Sequence, residues 1–193
     1  MADQQKASDI MKPLSLLDSM CRGLGGYMTY QASCGMSQAY SEYFLYEPIC
    51  RIAKDKGWSV QAQFPMPKLE NYSKGKRSID FDCLYIKNDS NYKCRIAIEV
   101  KWMPSKSYRQ LKIDSDIKKL IEYMEKKIGD KAYLLVAGAR NRINSMEIKK
   151  IFKDSLPVNS LPNSWSMKIV KKCFCKTTKT NYGAIAFEIL KTR

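Results

Sequence analysis

Four charged residues lie inside two apolar segments that alternate with the two-residue period of β-strands, where charged side chains are disfavoured. Asp80 and Asp82 fall in the first segment, and Glu99 and Lys101 fall in the second. Because residues two apart in a strand share a face, Glu99 and Lys101 project together, and a paired strand can bring Asp80 within reach of both. Two carboxylates beside one lysine predict a site for Mg²⁺ or Mn²⁺, since both ions prefer oxygen ligands.

Lys101 is also a candidate general base, because a lysine near a metal and a phosphate loses its proton more easily. Two other interpretations of these residues stay open. Asp80 and Asp82 could protect a sheet edge from aggregation, and Glu99 with Lys101 could form a cross-strand ion-pair group. The pattern Glu-X-Lys occurs three times in the chain, but only the copy at Glu99 lies on an apolar strand between an acidic strand and a long helix.

The two strands, Ile79 to Ile86 and Arg95 to Trp102, are predicted to form a hairpin, with Asp80 and Asp82 on one face of the first. A helix from Ser37 to Lys56, kinked or broken by Pro48, precedes them. A strand from Trp58 to Phe64 follows that helix. After the hairpin we predict a helix from Asp114 or Ser115 to Ile128, a strand from Lys131 to Ala137 and a helix from Ser145 to Lys153. Two last strands, Met167 to Cys175 and Ala184 to Leu190, are predicted on either side of a turn that contains Asn181 and Gly183.

This order of elements predicts an α/β fold with a mixed central sheet flanked by helices. The chain has 193 residues, which suits one compact domain. We interpret residues 1–36 as an N-terminal helical extension, with a helical pattern followed by a hinge at Gly23, Gly25 and Gly26, and residues 37–193 as the single main domain.

Charge and composition reduce the number of functional classes that fit the chain. Lysine and arginine number 34 against 19 acidic residues, a net charge of +15, which favours a polyanionic partner such as nucleic acid, although a lysine-rich proteome would also produce basic proteins. The chain has no histidine, which excludes every mechanism with a histidine base. Seven scattered cysteines indicate reduced thiols rather than a zinc site, and the polar N-terminus with no apolar span predicts a cytoplasmic protein that does not bind a membrane.

The segments Arg77-Ser78-Ile79-Asp80 and Ala97-Ile98-Glu99-Val100-Lys101-Trp102, with the predicted element order, resemble the PD-(D/E)XK or restriction-endonuclease-like nuclease superfamily. Ile79 stands where that superfamily often has proline. The resemblance implies that Asp80 and Glu99 bind the metal, with the Val100 carbonyl as a further ligand. It also implies that Lys101 orients or deprotonates the attacking water and that Glu42 supports the site, with Glu47 as the competitor for that last role.

Basic residues flank the predicted site in sequence and suit contact with a phosphate backbone, although a solvated surface explains them about as well. They are Lys74, Lys76, Arg77, Lys106, Arg109 and Lys112. The lysines at 118, 119, 126 and 127 are interpreted as the solvated face of their helix.

The patterns and the resemblance together predict a Mg²⁺-dependent endonuclease. The resemblance favours DNA over RNA as the partner, and the chain could form a homodimer. Two rivals stay open: a non-catalytic module that binds DNA or protein on the same fold, and a basic structural or adaptor protein.

Overall fold

The computed structural model describes residues 2–36, 41–66, 78–87, 93–103, 113–139, 164–175 and 181–192, with the backbone alone for 2–11 and for Asp114. Three helices and a 3₁₀ turn are present in these ranges: α1 (Ala2–Ser33), the turn Tyr43–Leu45, α2 (Tyr46–Asp55) and α3 (Ile113–Glu125). The strands are β1 (Ser59–Pro65), β2 (Ser78–Ile86), β3 (Lys93–Met103), β4 (Lys131–Ala139), β5 (Trp165–Cys175) and β6 (Tyr182–Lys191).

The six strands form one mixed sheet in the order β1-β2-β3-β4-β6-β5. Strand β3 pairs in parallel with β4, and every other neighbouring pair is antiparallel. The parallel pair needs a crossover connection, and α3 lies within it. This architecture confirms the predicted α/β class with a mixed sheet and helices on its faces.

Each face of the sheet is covered by helices. Helices α1 and α2 pack on one face, in a cluster with the inward residues of β3 such as Ile96, Ile98 and Val100. Helix α3 packs on the other face, where Leu120 and Tyr123 lie in a second cluster with strand residues such as Leu134. Strands buried on both sides explain why β4 is almost continuously apolar.

The hinge expected at the three glycines is wrong, because α1 is continuous from Ala2 to Ser33. The first two glycines instead allow close packing of the helix. A Cβ on Gly23 would lie 2.5 Å from Ile52 Cδ1, and a Cβ on Gly25 would lie 3.2 Å from Cys175 Sγ. Helix α1 therefore packs against α2 and β5 through these positions, and the boundary at residue 36 stays a prediction.

The other boundaries follow the sequence closely. Helix α2 runs through Pro48, its third residue, where a missing N–H is tolerated, so the kink or break predicted at the proline is wrong. Of the predicted helix that precedes Tyr46, the described residues form only the 3₁₀ turn Tyr43–Leu45. Gly57 ends the segment with a φ of +77°. Gly183 lies within β6 rather than in a turn. The helix predicted from 145 to 153 lies outside the described residues. None of the described helices is long and apolar enough to cross a bilayer.

Candidate active site

Strands β2 and β3 are adjacent, as predicted, and separate at the two acidic residues. Their antiparallel pairing runs from Ile86 with Lys93 to Phe81 with Ile98, and the next residues along the two strands are Asp80 and Glu99. The Val100 N–H donates to Asp80 Oδ2 at 2.8 Å. A carboxylate therefore takes a position that a carbonyl of β2 would occupy in a regular ladder.

Asp80 is held by donors from three elements. The Tyr46 hydroxyl of α2 and Gln63 Nε2 of β1 both donate to Oδ1, the latter at 3.1 Å, while Val100 donates to Oδ2. Gln63 is itself fixed, because Ser78 Oγ donates to its Oε1 at 2.8 Å. Burial, with the hydrogen bond to Asp80, raises the pKa of Tyr46, so the phenol remains a donor. The Asp80 carboxylate consequently has a defined orientation.

Asp82 was expected to share a face with Asp80, and that expectation is wrong. Asp82 is buried on the α3 side of the sheet. Its Oδ1 and Oδ2 accept hydrogen bonds from Arg95 Nε at 2.9 and 3.0 Å, and its Oδ1 also accepts one from the Tyr123 hydroxyl at 2.7 Å. Ile79 and Phe81, which strict alternation would place together, belong to the clusters on opposite faces. The side-chain alternation of β2 therefore breaks at Asp80.

The break has a local counterpart in β1. Gln63, which would pair with Asp80, has a φ of +52°, and the β1–β2 pairing omits these two residues. The edge-protection interpretation of Asp80 and Asp82 is also wrong, because β2 lies between β1 and β3 rather than at an edge of the sheet.

Glu99 projects from β3 towards α3 and is 1% exposed. Lys119 Nζ lies 2.7 Å from its Oε1, at ion-pair distance. Burial and then the charge of Asp80 raise the pKa of Glu99 to about 9, against the opposing charge of Lys119. The carboxylates of Glu99 and Asp80 thus interact across the separated strands, although they occupy different side-chain environments.

Lys101 projects to the same side as Glu99, as predicted. Its Nζ lies 2.7 Å from Asp116 Oδ2 and 3.1 Å from Glu42 Oε1. Burial lowers the pKa of Lys101, but the bonds and charges of Asp116 and Glu42 outweigh it, and the net pKa is raised. This arrangement favours an ammonium that orients other groups over a general base.

Of the two candidates for the supporting acid, the geometry favours Glu42. Glu47 pairs with Arg51 at 2.5 Å on the surface of α2, and both of those side chains are mostly exposed. Glu42 stands just before the 3₁₀ turn and contacts Lys101 directly.

Two site residues were missed from the sequence, Asp116 and Lys119 of α3. Lys119 was interpreted as solvated, yet its side chain is 17% exposed and bridges Glu99 and Asp116, whereas Lys118 is exposed. A signal for Asp116 was present: it lies three residues after Ile113 and four before Leu120, on the apolar stripe of the helix. A buried acid on that stripe requires a cationic partner.

The donor set suits Mg²⁺, which is commonly bound by one or two carboxylates together with water and substrate phosphate. Asp80 and Glu99 supply two carboxylates whose mutual repulsion a divalent cation would relieve. The N–H and C=O of one strand residue point to the same side, so we expect the Val100 carbonyl to face Asp80 as its N–H does. The described residues contain no group of three or more Cys, Asp or Glu side chains that could hold a metal ion. A metal at Asp80 and Glu99 would therefore need backbone, water or substrate oxygens as further ligands.

The basic residues predicted to contact nucleic acid, at 74, 76, 77, 106, 109 and 112, lie outside the described residues. Comparison of the chain with protein-family models, curated proteins and solved structures gave no match.

Proposed function

We propose that this protein is a Mg²⁺-dependent endonuclease that hydrolyses phosphodiester bonds in DNA, built on a restriction-endonuclease-like domain. The observation that carries the proposal is the position of Asp80 and Glu99. They are the first residues beyond the β2–β3 pairing, and Lys101 lies on the Glu99 side of β3.

The element order supports the same proposal. Helix α2 is followed by β1, β2, β3, α3 and β4, which is the order on which the PD-(D/E)XK resemblance rests. The first acid lies on the second of these strands, and Glu99-Val100-Lys101 lies on the third.

Each residue of the site has a separate proposed role. Asp80 and Glu99, with the Val100 carbonyl, would hold the metal, which when bound polarises the phosphate and lowers the pKa of a bound water. Glu42 and Asp116 hold the Lys101 ammonium in place, so that it can orient the attacking water and stabilise negative charge on the phosphate. Tyr46 and Gln63 fix the Asp80 carboxylate.

DNA is the proposed partner because the net charge of +15 favours a polyanion and because the motif resemblance points to DNA before RNA. The basic residues on either side of β2 and β3 in sequence, Lys74, Lys76, Arg77, Lys106, Arg109 and Lys112, are proposed to contact the phosphate backbone.

One observation favours a second candidate, a non-catalytic DNA- or protein-binding module on the same fold. Glu99 and Lys101 already have partners within the chain, in the ion pairs with Lys119, Asp116 and Glu42. An ion-pair network of this kind can exist for structural reasons alone.

Incubation with supercoiled, linear, single-stranded and branched DNA, and with RNA, separates the candidates when it is done in Mg²⁺, in Mn²⁺ and in EDTA. We expect metal-dependent cleavage by the wild type and by Glu47→Gln, which changes an exposed carboxylate, and none by Asp80→Asn or Glu99→Gln. DNA binding without cleavage in any metal would support the binding module instead.

A further inference from the structure

The ammonium of Lys119 is surrounded by oxygen atoms from three elements. Its Nζ lies 2.7 Å from Glu99 Oε1 on β3, 3.2 Å from Asp116 Oδ1 on α3 and 3.3 Å from the Ser78 carbonyl oxygen on β2. Two carboxylates and a carbonyl are a donor set typical of a cation site.

This arrangement differs from a surface salt bridge. Glu99 is 1% exposed and Asp116 is 6% exposed, so both acids have lost most of their hydration, and a nearby positive charge favours their ionised forms. Oε1 of Glu99 lies 2.7 Å from Lys119 Nζ, and Oδ2 of Asp116 lies 2.7 Å from Lys101 Nζ. Apart from these lysines, the two buried oxygens have no hydrogen-bond partner among the described residues. The neighbouring Lys118 is exposed.

We propose that Lys119 is a built-in cation that occupies a second metal position, formed by Glu99, Asp116 and the Ser78 carbonyl. Two-metal phosphodiester hydrolases place their ions about 3.5–4 Å apart, and an ammonium beside the first ion supplies positive charge there without a second ion. The inference rests on the proposed function only for the first ion, held by Asp80 and Glu99. The second position can be tested whether or not that ion binds.

Calorimetric titration of the metal-stripped protein with Mn²⁺ measures the number of ions bound. We expect Lys119→Ala to bind one ion more than the wild type, because the vacated position keeps its three oxygens. Lys119→Arg keeps a cation there and Lys118→Ala removes an exposed charge, so both should match the wild type. Lys119→Gln, which keeps polar contacts, provides a second neutral variant in case the alanine variant does not fold.

Double variants identify the position of the added ion. In the Lys119→Ala background, Asp116→Asn should abolish the additional ion, whereas Asp80→Asn should leave it. A wild type that binds no Mn²⁺ contradicts the proposed nuclease, yet the gain of one ion in Lys119→Ala would still support the second position. Equal stoichiometry in Lys119→Ala, Lys119→Gln and the wild type, or an added ion that survives Asp116→Asn, overturns this inference alone.

Discussion

The Asp80 carboxylate accepts the backbone N–H of Val100, with 2.8 Å between Oδ2 and N, at the point where β2 and β3 stop pairing. The side chain therefore closes the end of the ladder and is fixed to the backbone of the residue that follows Glu99. Replacement of Asp80 affects both the backbone donor and the negative charge, and two different substitutions separate these effects.

Asp80→Asn keeps an oxygen acceptor for the Val100 N–H and loses the acceptor that faces Tyr46 and Gln63, so it should lower the free energy of unfolding by less than Asp80→Ala does. Asp80→Ala leaves that donor without its partner and should cost about 1–3 kcal/mol. Both should lose Mg²⁺-dependent cleavage by about 100-fold or more, because each removes a metal ligand. Urea unfolding and plasmid cleavage measure the two quantities, and an Asp80→Asn variant that cleaves like the wild type would remove Asp80 from the site.

Asp82 should matter for stability rather than catalysis. It accepts hydrogen bonds from Arg95 and Tyr123 in a buried position, so Asp82→Ala leaves a guanidinium and a phenol without their acceptor. Arg95 is partly exposed and can reach water, whereas Tyr123 is buried, so we expect a loss of about 2–3 kcal/mol in unfolding free energy. Specific activity should be retained at a temperature where the variant is folded.

Tyr123→Phe is the matched control for Asp82, since it removes one donor and keeps the Arg95 pair. It should cost about 1 kcal/mol. If Asp82→Ala unfolds like the wild type yet does not cleave DNA, then Asp82 rather than Asp80 belongs to the catalytic group.

The two acids that hold Lys101 should differ in their effect on stability. Asp116 is buried and pairs with two lysines, so Asp116→Ala removes one acidic partner from each of two mostly buried ammonium groups and should cost about 3–5 kcal/mol. Glu42 is over a third exposed, and Glu42→Ala should cost less than about 1 kcal/mol. Chemical denaturation of both variants tests this order, and equal losses would mean that the Lys101 ammonium does not depend on Asp116.

Several elements that position the site could be predicted from the local spacing of apolar and charged residues. The alternation in β3 holds from Ile96 to Lys101, so the common face of Glu99 and Lys101 follows from spacing alone. The apolar stripe of α3 likewise gave the position of that helix.

The remaining features depend on tertiary contacts. The direction of Asp80 depends on Gln63, a residue of another strand whose positive φ nothing in the local sequence required. Helix phase placed Asp116 on the buried stripe, but the inward direction of Lys119 is decided by the charge of Glu99 on the facing strand. Closely spaced glycines suggest a hinge when only the sequence is known. The role of Gly23 and Gly25 in close packing depends on Ile52 and Cys175, which meet α1 only in the folded chain.

DNA binding should depend steeply on salt, because each phosphate that a basic side chain neutralises releases condensed counterions. Combined replacement of Lys74, Lys76 and Arg77 by alanine should lower both the affinity and the slope of log K against log salt. The matched control replaces three lysines of β5, the edge strand separated from β2 by three others, namely Lys168, Lys171 and Lys172. Fluorescence anisotropy over a range of salt concentrations measures both slopes, and equal slopes for the two triple variants would exclude Lys74, Lys76 and Arg77 as the backbone contact.

Glu99 should make the metal-free protein less stable as the pH rises. In the unfolded chain its carboxyl ionises near its ordinary pKa of 4.5, whereas in the folded protein burial and Asp80 raise that pKa to about 9. Between these values the unfolded state binds fewer protons, so the free energy of unfolding falls as pH increases. The stabilisation is complete below about pH 4.5 and is lost progressively up to about pH 9.

Glu99→Gln removes this titration and keeps the shape of the side chain, so its stability should fall less than that of the wild type over the same range. Unfolding in urea with EDTA at several pH values between about 5 and 9 gives the two curves. Glu47→Gln, which changes a mostly exposed carboxylate, should follow the wild type. Added Mn²⁺ should stabilise the wild type most at the upper end of the range, because the metal binds the ionised carboxylate. If the Glu99→Gln and wild-type curves run parallel in EDTA, Glu99 does not carry the raised pKa, and the repulsion that a metal would relieve is absent.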